Sequence, residues 1–540
     1  MDAHSLTTAW VAPPRQTTGL DHLAVRALSE AYYAELVPCV TNVTDRIRSY
    51  AFYAWVVWSF TERYPDAGYE EFVRSFRCAE ILASLIGAQH EQRLAEEPAT
   101  HGEGLPGRLV LLKALRELKG AGHSLSLRRY ATEDENDRNR YFQARLGGLG
   151  QYYLGTLQEL DIVGRASGSG DRFAVSSGRG VELAKVYDSS VPGEAFWQAV
   201  AADAVDVTTL DDLAAFCPCH LARNTAEREK LIDIVLHRDA REGLQVPQMR
   251  DAVALLLQAA EARQQPEERR DAVDDFRWCA FAGKLGGKAW SHAAVSSWRA
   301  YQQHEVLGLA IQALFSMVYE LFEAAGRPTL FTSREVTAWT IAQIREDFTP
   351  GFLEQSFASH IESVRADLPA IDDLESERHE RHLCSVLLSR EEYEFAGRLE
   401  TVLRIMASLL LRLPEGELYP GLHQPPEYFD RYPINLRRLR DVAARVWSGM
   451  TVGEWLHWLI ANWAVGEQHR VALRKLRQSG EDTFRLRPTE QGLLAVGNIE
   501  VTFSNPRLGE ALRALQDLAL LDKDLRITEV GQMLKGELGG

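Results

Sequence analysis

Cysteine and histidine meet at Cys217-Pro218-Cys219-His220, a run of residue types that bind zinc through thiolate sulfur and imidazole nitrogen. Zinc usually takes four ligands with a second close pair, and the chain has neither a CxxC nor an HxxxH to supply one. His379, His382 and Cys384 could complete the set only through a tertiary contact. The expectation is therefore a helix-start turn with buried thiols and no metal. The HxxH of His379 and His382 lies in the charged run ESERHERH, which reads as an exposed helix face. In AGKLGGKAW (282–290), Ala282 stands where a phosphate loop needs its first glycine, and Ala289 where it needs a magnesium-binding Ser or Thr. That run reads as a turn between helices. Glu117 and Lys119 have the E-x-K spacing of restriction-type nucleases, but the motif needs a strand and these residues fall on an amphipathic helix. There is no GxSxG elbow either, so no catalytic residue, metal or cofactor is assigned and the chain reads as non-enzymatic.

Cations offer a different chemistry. Arg470, Arg474 and Arg477 are spaced i, i+4, i+7 and share one helical face, where they could neutralise phosphates or pair with an acidic neighbour. Residues 431–487 hold eleven Arg or Lys against five Asp or Glu, a net +6 in a chain whose formal charge is −16. Residues 101–150 carry +3, and residues 351–400 carry −7. The total excludes a uniformly basic coat but not a basic face. Thr44, Arg46, Arg48, Tyr50, Tyr53 and Trp55 combine cations with aromatics, as single-strand platforms do. On a helix they point in every direction, which favours a buried helix.

The elements that must position these groups are helical. Leu28, Tyr32 and Leu36 form a stripe ended by Pro38, and a second helix is expected to start at Thr44 or Asp45 as its cap. Composition breaks at AEEPATHGEGLPG and at LPEGELYPGLHQPPEYFDRYP divide the chain into an N-terminal helical domain (1–100), a module at 101–190, a helical middle domain (191–430) and a C-terminal module (431–540). The six cysteines form no disulfide framework, and no signal peptide or membrane span is visible, which together suggest a cytoplasmic protein. Arginine outnumbers lysine 51 to 9, the usage of a high-GC bacterial genome.

The two modules echo each other. Thr156-Leu157-Gln158-Glu159-Leu160-Asp161-Ile162-Val163 matches Ala514-Leu515-Gln516-Asp517-Leu518-Ala519-Leu520-Leu521. An extended piece follows each, then a S/T-x-x-G-x-x-L start: Ser177, Gly180 and Leu183, and Thr528, Gly531 and Leu534. Ser177 and Thr528 are expected to cap the returning helix. Thr489-Glu490-Gln491-Gly492 reads as a third, partial copy.

This pattern resembles the winged helix-turn-helix family over about 80 residues near 108–187 and about 90 at the C-terminus. The resemblance implies a mainly α, multidomain protein with one or two winged-helix modules bearing short β-hairpins. It implies recognition helices at about 142–161 and 507–521, the helix before the wing entering the major groove. Arg140 and Arg145 would open the first, and Arg165 and Arg172 would flank its wing. Arg507 and Arg513 would lie on the second, with Lys523 and Arg526 in the wing. Winged helices also dock proteins, so DNA and protein partners are both expected, and no membrane. The N-terminal run around Thr44–Trp55 resembles the opening of bacterial proteins encoded near phage-defence genes. The leading expectation is an adaptor or sensor subunit of a defence or DNA-transaction complex. The alternatives are a metal-dependent nuclease or other hydrolase with its site in 191–430, and a protein scaffold.

Overall fold

The computed structural model describes residues 15–16, 21–41, 44–93, 108–121, 124–134, 136–140, 142, 144–165, 173–238, 247–262, 272–285, 288–289, 293–389, 394–416, 418, 426–429, 431–446, 449–504 and 507–539. The protein is mainly α, and its described strands are two to four residues long, each in a two-stranded sheet. Contacts divide it into two discontinuous units. One comprises Met1–Tyr33 with Asp274–Asn505, the other Ala34–Val273 with Pro506–Gly540. The stretch 431–540 is thus divided at Asn505 and Pro506. No disulfide joins any of the six cysteines.

The first unit is built around the 32-residue helix Ala293–Ala324. Its stretch Ala294–Ala324 is long and apolar enough to cross a membrane, yet its most apolar part is largely buried inside the protein. Leu307, Ile311, Leu314 and Val318 join one continuous core with Leu403, Met406, Trp455 and Trp463. Glu305 within this helix is accommodated by hydrogen bonds from Ser29, the Ser504 hydroxyl and the Ser504 N–H, the last at 2.9 Å. The run Val452–Ser479 is one continuous helical stretch interrupted by a π-turn at Ile460–Ala464. It begins with a capping box between Thr451 and Glu454. Thr489-Glu490-Gln491-Gly492 is no third copy of the echo. It is the turn joining strands Leu486–Thr489 and Gly492–Ala495, where Gly492 takes φ +116° and Thr489 Oγ1 donates to the Gly492 carbonyl at 2.6 Å.

The second unit centres on the helix Arg48–Arg63. Neither expected cap serves it, since Ile47 holds the cap position without a side-chain bond. Thr44 Oγ1 instead contacts Thr41 Oγ1 at 2.8 Å and Tyr50 at 3.2 Å, while Asp45 pairs with Arg513 at 2.8 Å. Thr44, Arg46, Arg48, Tyr50, Tyr53 and Trp55 are all buried, so this run is core and not a nucleic-acid platform. Arg46 pairs with Asp517 on the helix Leu508–Asp517 at 2.9 Å, which ties the C-terminal segment to the start of the central helix.

Here the echo is a structural repeat. Leu160 and Leu518 N–H groups bond the carbonyls of Thr156 and Ala514, and Ile162 and Leu520 those of Leu157 and Leu515, the latter both at 2.8 Å. Between them Asp161 and Ala519 adopt left-handed φ of +54° and +56°. Each copy then returns as an extended pairing: Val163–Arg165 with Phe173–Val175 in the first, a single Leu521–Ile527 bridge in the second. The Ser176 and Thr528 N–H groups bond the Ile162 and Leu520 carbonyls at 3.2 and 3.1 Å, and their hydroxyls bond the Asp161 and Ala519 carbonyls. Thr528 caps its helix as expected, accepting from Gly531 at 3.0 Å. In the first copy Ser176 takes the equivalent place and Ser177 does not cap, because Gly178 at φ +93° adds one residue before helix Arg179–Asp188. A Cβ at Gly180 or Gly531 would overlap the Ile162 or Leu520 carbonyl oxygen, so both glycines admit close helix packing.

Candidate functional site

The ten arginines expected to meet nucleic acid divide by what already holds them. Arg145 pairs with Glu70 and lies over the Tyr69 ring, and Arg140 is half-buried with Nε donating to the Phe142 carbonyl at 3.2 Å. The helix expected at about 142–161 is shorter, a π-turn at Leu149–Tyr153 running into Leu154–Glu159. The side chains of Arg165 and Arg172 lie outside the described residues. Arg507 precedes the Leu508–Asp517 helix and interacts electrostatically with Tyr50, Glu159 and Glu510. Arg513 is bound to Asp45. Arg526 and Lys523 are exposed.

Helix Val465–Ser479 sorts its own face. Arg470 bonds Glu467 at 2.7 Å and reaches the Asn462 carbonyl in the π-turn at 2.5 Å. Arg470 thus binds both a carboxylate on its own helix and a backbone carbonyl of the π-turn. Arg474 and Arg477, one and two turns on, are exposed. Arg474 feels the Glu467 carboxylate, but neither makes an ion pair among the described residues. The basic face is therefore Arg474 and Arg477.

The second unit holds two features that sequence spacing did not reveal. A pocket is lined by Arg48, Ser49, Tyr53, Glu80, Ser84 and Pro218, among others. Glu80, from helix Tyr69–Arg93, accepts the Gly148 and Leu149 N–H groups at 3.0 Å each, at the start of a helical stretch where negative charge is favoured. Burial nevertheless outweighs these bonds and pushes its carboxyl up to about 7. Gly147, at φ +56°, leaves the space the carboxylate fills. Glu80 can thus hold or release a proton near neutral pH. An acid four residues beyond Phe76 on a core-facing stripe was the signal available in the sequence.

The other feature completes the cysteine–histidine run. His90, in the last turn of Tyr69–Arg93, comes against Cys219 and His220 of the 3₁₀ helix Pro218–Arg223. Their ligand atoms all lie within 4.8 Å of one another, with Cys219 Sγ 3.4 Å from His90 Nδ1. Each is half-buried. Arg48 fixes the turn before them, donating to the Ala215 and Cys217 carbonyls at 2.8 and 2.6 Å while it pairs with Glu227. Gln89 and Arg93 both bind Asp211, at 3.0 and 3.4 Å, and hold the end of the His90 helix. The Cys217 thiol is raised by its hydrogen bond with Cys219 and by burial. His379 and Cys384 take no part in this cluster. His379 and Glu380 are fully buried, contrary to the expected exposed face. His379 caps helix Glu380–Leu388 and Glu380 binds Arg412 at 2.5 Å.

The remaining motifs are structural. Lys284–Leu285 and Lys288–Ala289 form a minimal antiparallel pair between helices Ala272–Ala282 and Ala293–Ala324, and the residues between the two strands lie outside the described residues. Glu117 and Lys119 lie on helix Arg108–Ala121, with Lys119 bonded to Gln92 at 2.7 Å. Compared with known proteins, the chain matches no protein-family model, no curated protein and no solved structure.

Proposed function

We propose that the protein is a non-enzymatic DNA-binding adaptor whose winged-helix-like repeats organise the second unit and whose phosphate contacts come from the Val465–Ser479 helix of the first. The observation that carries this reading is the exposure of Arg474 and Arg477 on one helical face without ion-pair partners among the described residues. Such cations gain by meeting phosphate oxygens and releasing counterions, whereas arginines already bound to carboxylates would have to exchange one partner for another. The role belongs to a bacterial defence or DNA-transaction complex, in keeping with the resemblance of the N-terminal run. The test is duplex DNA binding by wild type and by Arg474→Ala/Arg477→Ala, with Arg470→Ala as the comparison.

A second reading, a metal-dependent nuclease or other hydrolase, is favoured by one juxtaposition. Pro218 lines the pocket that contains Glu80 and is the sequence neighbour of Cys219. Metal sites with three protein ligands and an open position are common in hydrolases, and an acid titrating near neutrality can serve as general acid or base. Metal-dependent cleavage of plasmid by the purified protein would select this reading over the first.

A further inference from the structure

We propose that His90, Cys219 and His220 bind a divalent zinc-class ion. The donor chemistry selects the metal: one thiolate sulfur and two imidazole nitrogens suit zinc and other borderline-soft ions, and disfavour magnesium and calcium, which take oxygen. The geometry suits a tetrahedral centre. Zn–S near 2.3 Å and Zn–N near 2.0–2.1 Å place neighbouring ligand atoms roughly 3.4–3.8 Å apart. Cys219 Sγ and His90 Nδ1 stand 3.4 Å apart, and the His220 ligand atom lies within 4.8 Å of both.

The site is held from both sides. The bidentate Arg48–Glu227 pair fixes the turn carrying Cys219 and His220, and Asp211 fixes the end of the helix carrying His90. The ligands come from segments 129 residues apart, so the ion would join the Tyr69–Arg93 helix to the 3₁₀ turn. Half-burial lets an ion enter from solvent without opening the core. Three protein ligands leave one tetrahedral position for water.

The experiment uses the full-length chain. Protein stripped with chelator is titrated with zinc, and the bound metal is counted after gel filtration. One zinc per chain is expected, with affinity reduced at least tenfold in His90→Ala and Cys219→Ser and unchanged in His382→Ala. Cobalt titration of wild type supplies a readout that needs no variant to fold: tetrahedral d–d absorption together with a sulfur-to-cobalt charge-transfer band. Absence of the sulfur band, or zinc binding unaffected by both His90→Ala and Cys219→Ser, overturns the proposal.

Discussion

The Arg48 guanidinium meets the Glu227 carboxylate in two hydrogen bonds, Nε to Oε1 at 2.9 Å and Nη2 to Oε2 at 3.0 Å, with both side chains essentially excluded from solvent. The remaining donor nitrogen takes the Ala215 and Cys217 carbonyls, so one arginine both closes a buried ion pair and anchors the turn before Cys219. Removing one partner leaves the other charge buried alone. Arg48→Ala and Glu227→Ala are each expected to cost about 3–5 kcal/mol in urea unfolding. The double variant is expected to lose less than the sum, because it strands no charge. Additive losses would show that the pair is not coupled.

Glu80 gives the second unit a dependence on pH. Its carboxyl sits at about 7 in the folded protein against an ordinary value of 4.5, so the folded state binds the proton more tightly than the unfolded chain. The stability from this group is fully present below the ordinary value and is lost as pH rises through the folded one. The shift corresponds to about 3 kcal/mol. Glu80→Gln removes the titration, so its stability relative to wild type is expected to rise by about 3 kcal/mol between about pH 4 and 8. Parallel stability profiles for the two proteins would contradict this assignment.

The paired glycines should behave alike. Gly180→Ala and Gly531→Ala each push a methyl into a backbone carbonyl of the preceding turn, a collision that side-chain movement cannot relieve. Each is expected to cost about 1–3 kcal/mol or more. Gly155→Ala, in helix Leu154–Glu159 with open space around its Cβ position, is expected to stabilise by up to about 1 kcal/mol. Thermal unfolding of the three variants distinguishes packing from helix propensity.

What the sequence disclosed was local. The leucine spacing of Leu157 with Leu160, and Leu515 with Leu518, together with Gly180 and Gly531, marks the repeat because each contact spans a few residues. A one-residue offset at Gly178 exchanged Ser176 for Ser177, since spacing alone does not register an inserted left-handed glycine. Thr489 was misread because Thr-x-x-Gly serves a tight strand turn as well as a helix start. His90 was not legible at all. Its association with Cys219 depends on tertiary packing across 129 residues, for which a single sequence carries no pattern. Charge spacing likewise placed Arg470, Arg474 and Arg477 on one face, but not the π-turn that engages the first of them.

DNA binding by the Val465–Ser479 helix is tested most directly by the salt dependence of affinity for a labelled duplex. Each phosphate contact adds about 0.9 to the slope of log K against log salt. Arg474→Ala/Arg477→Ala is expected to weaken binding and reduce that slope by about 2, while Arg470→Ala leaves it unchanged. Equal slopes and affinities for wild type and the double variant would contradict the assignment.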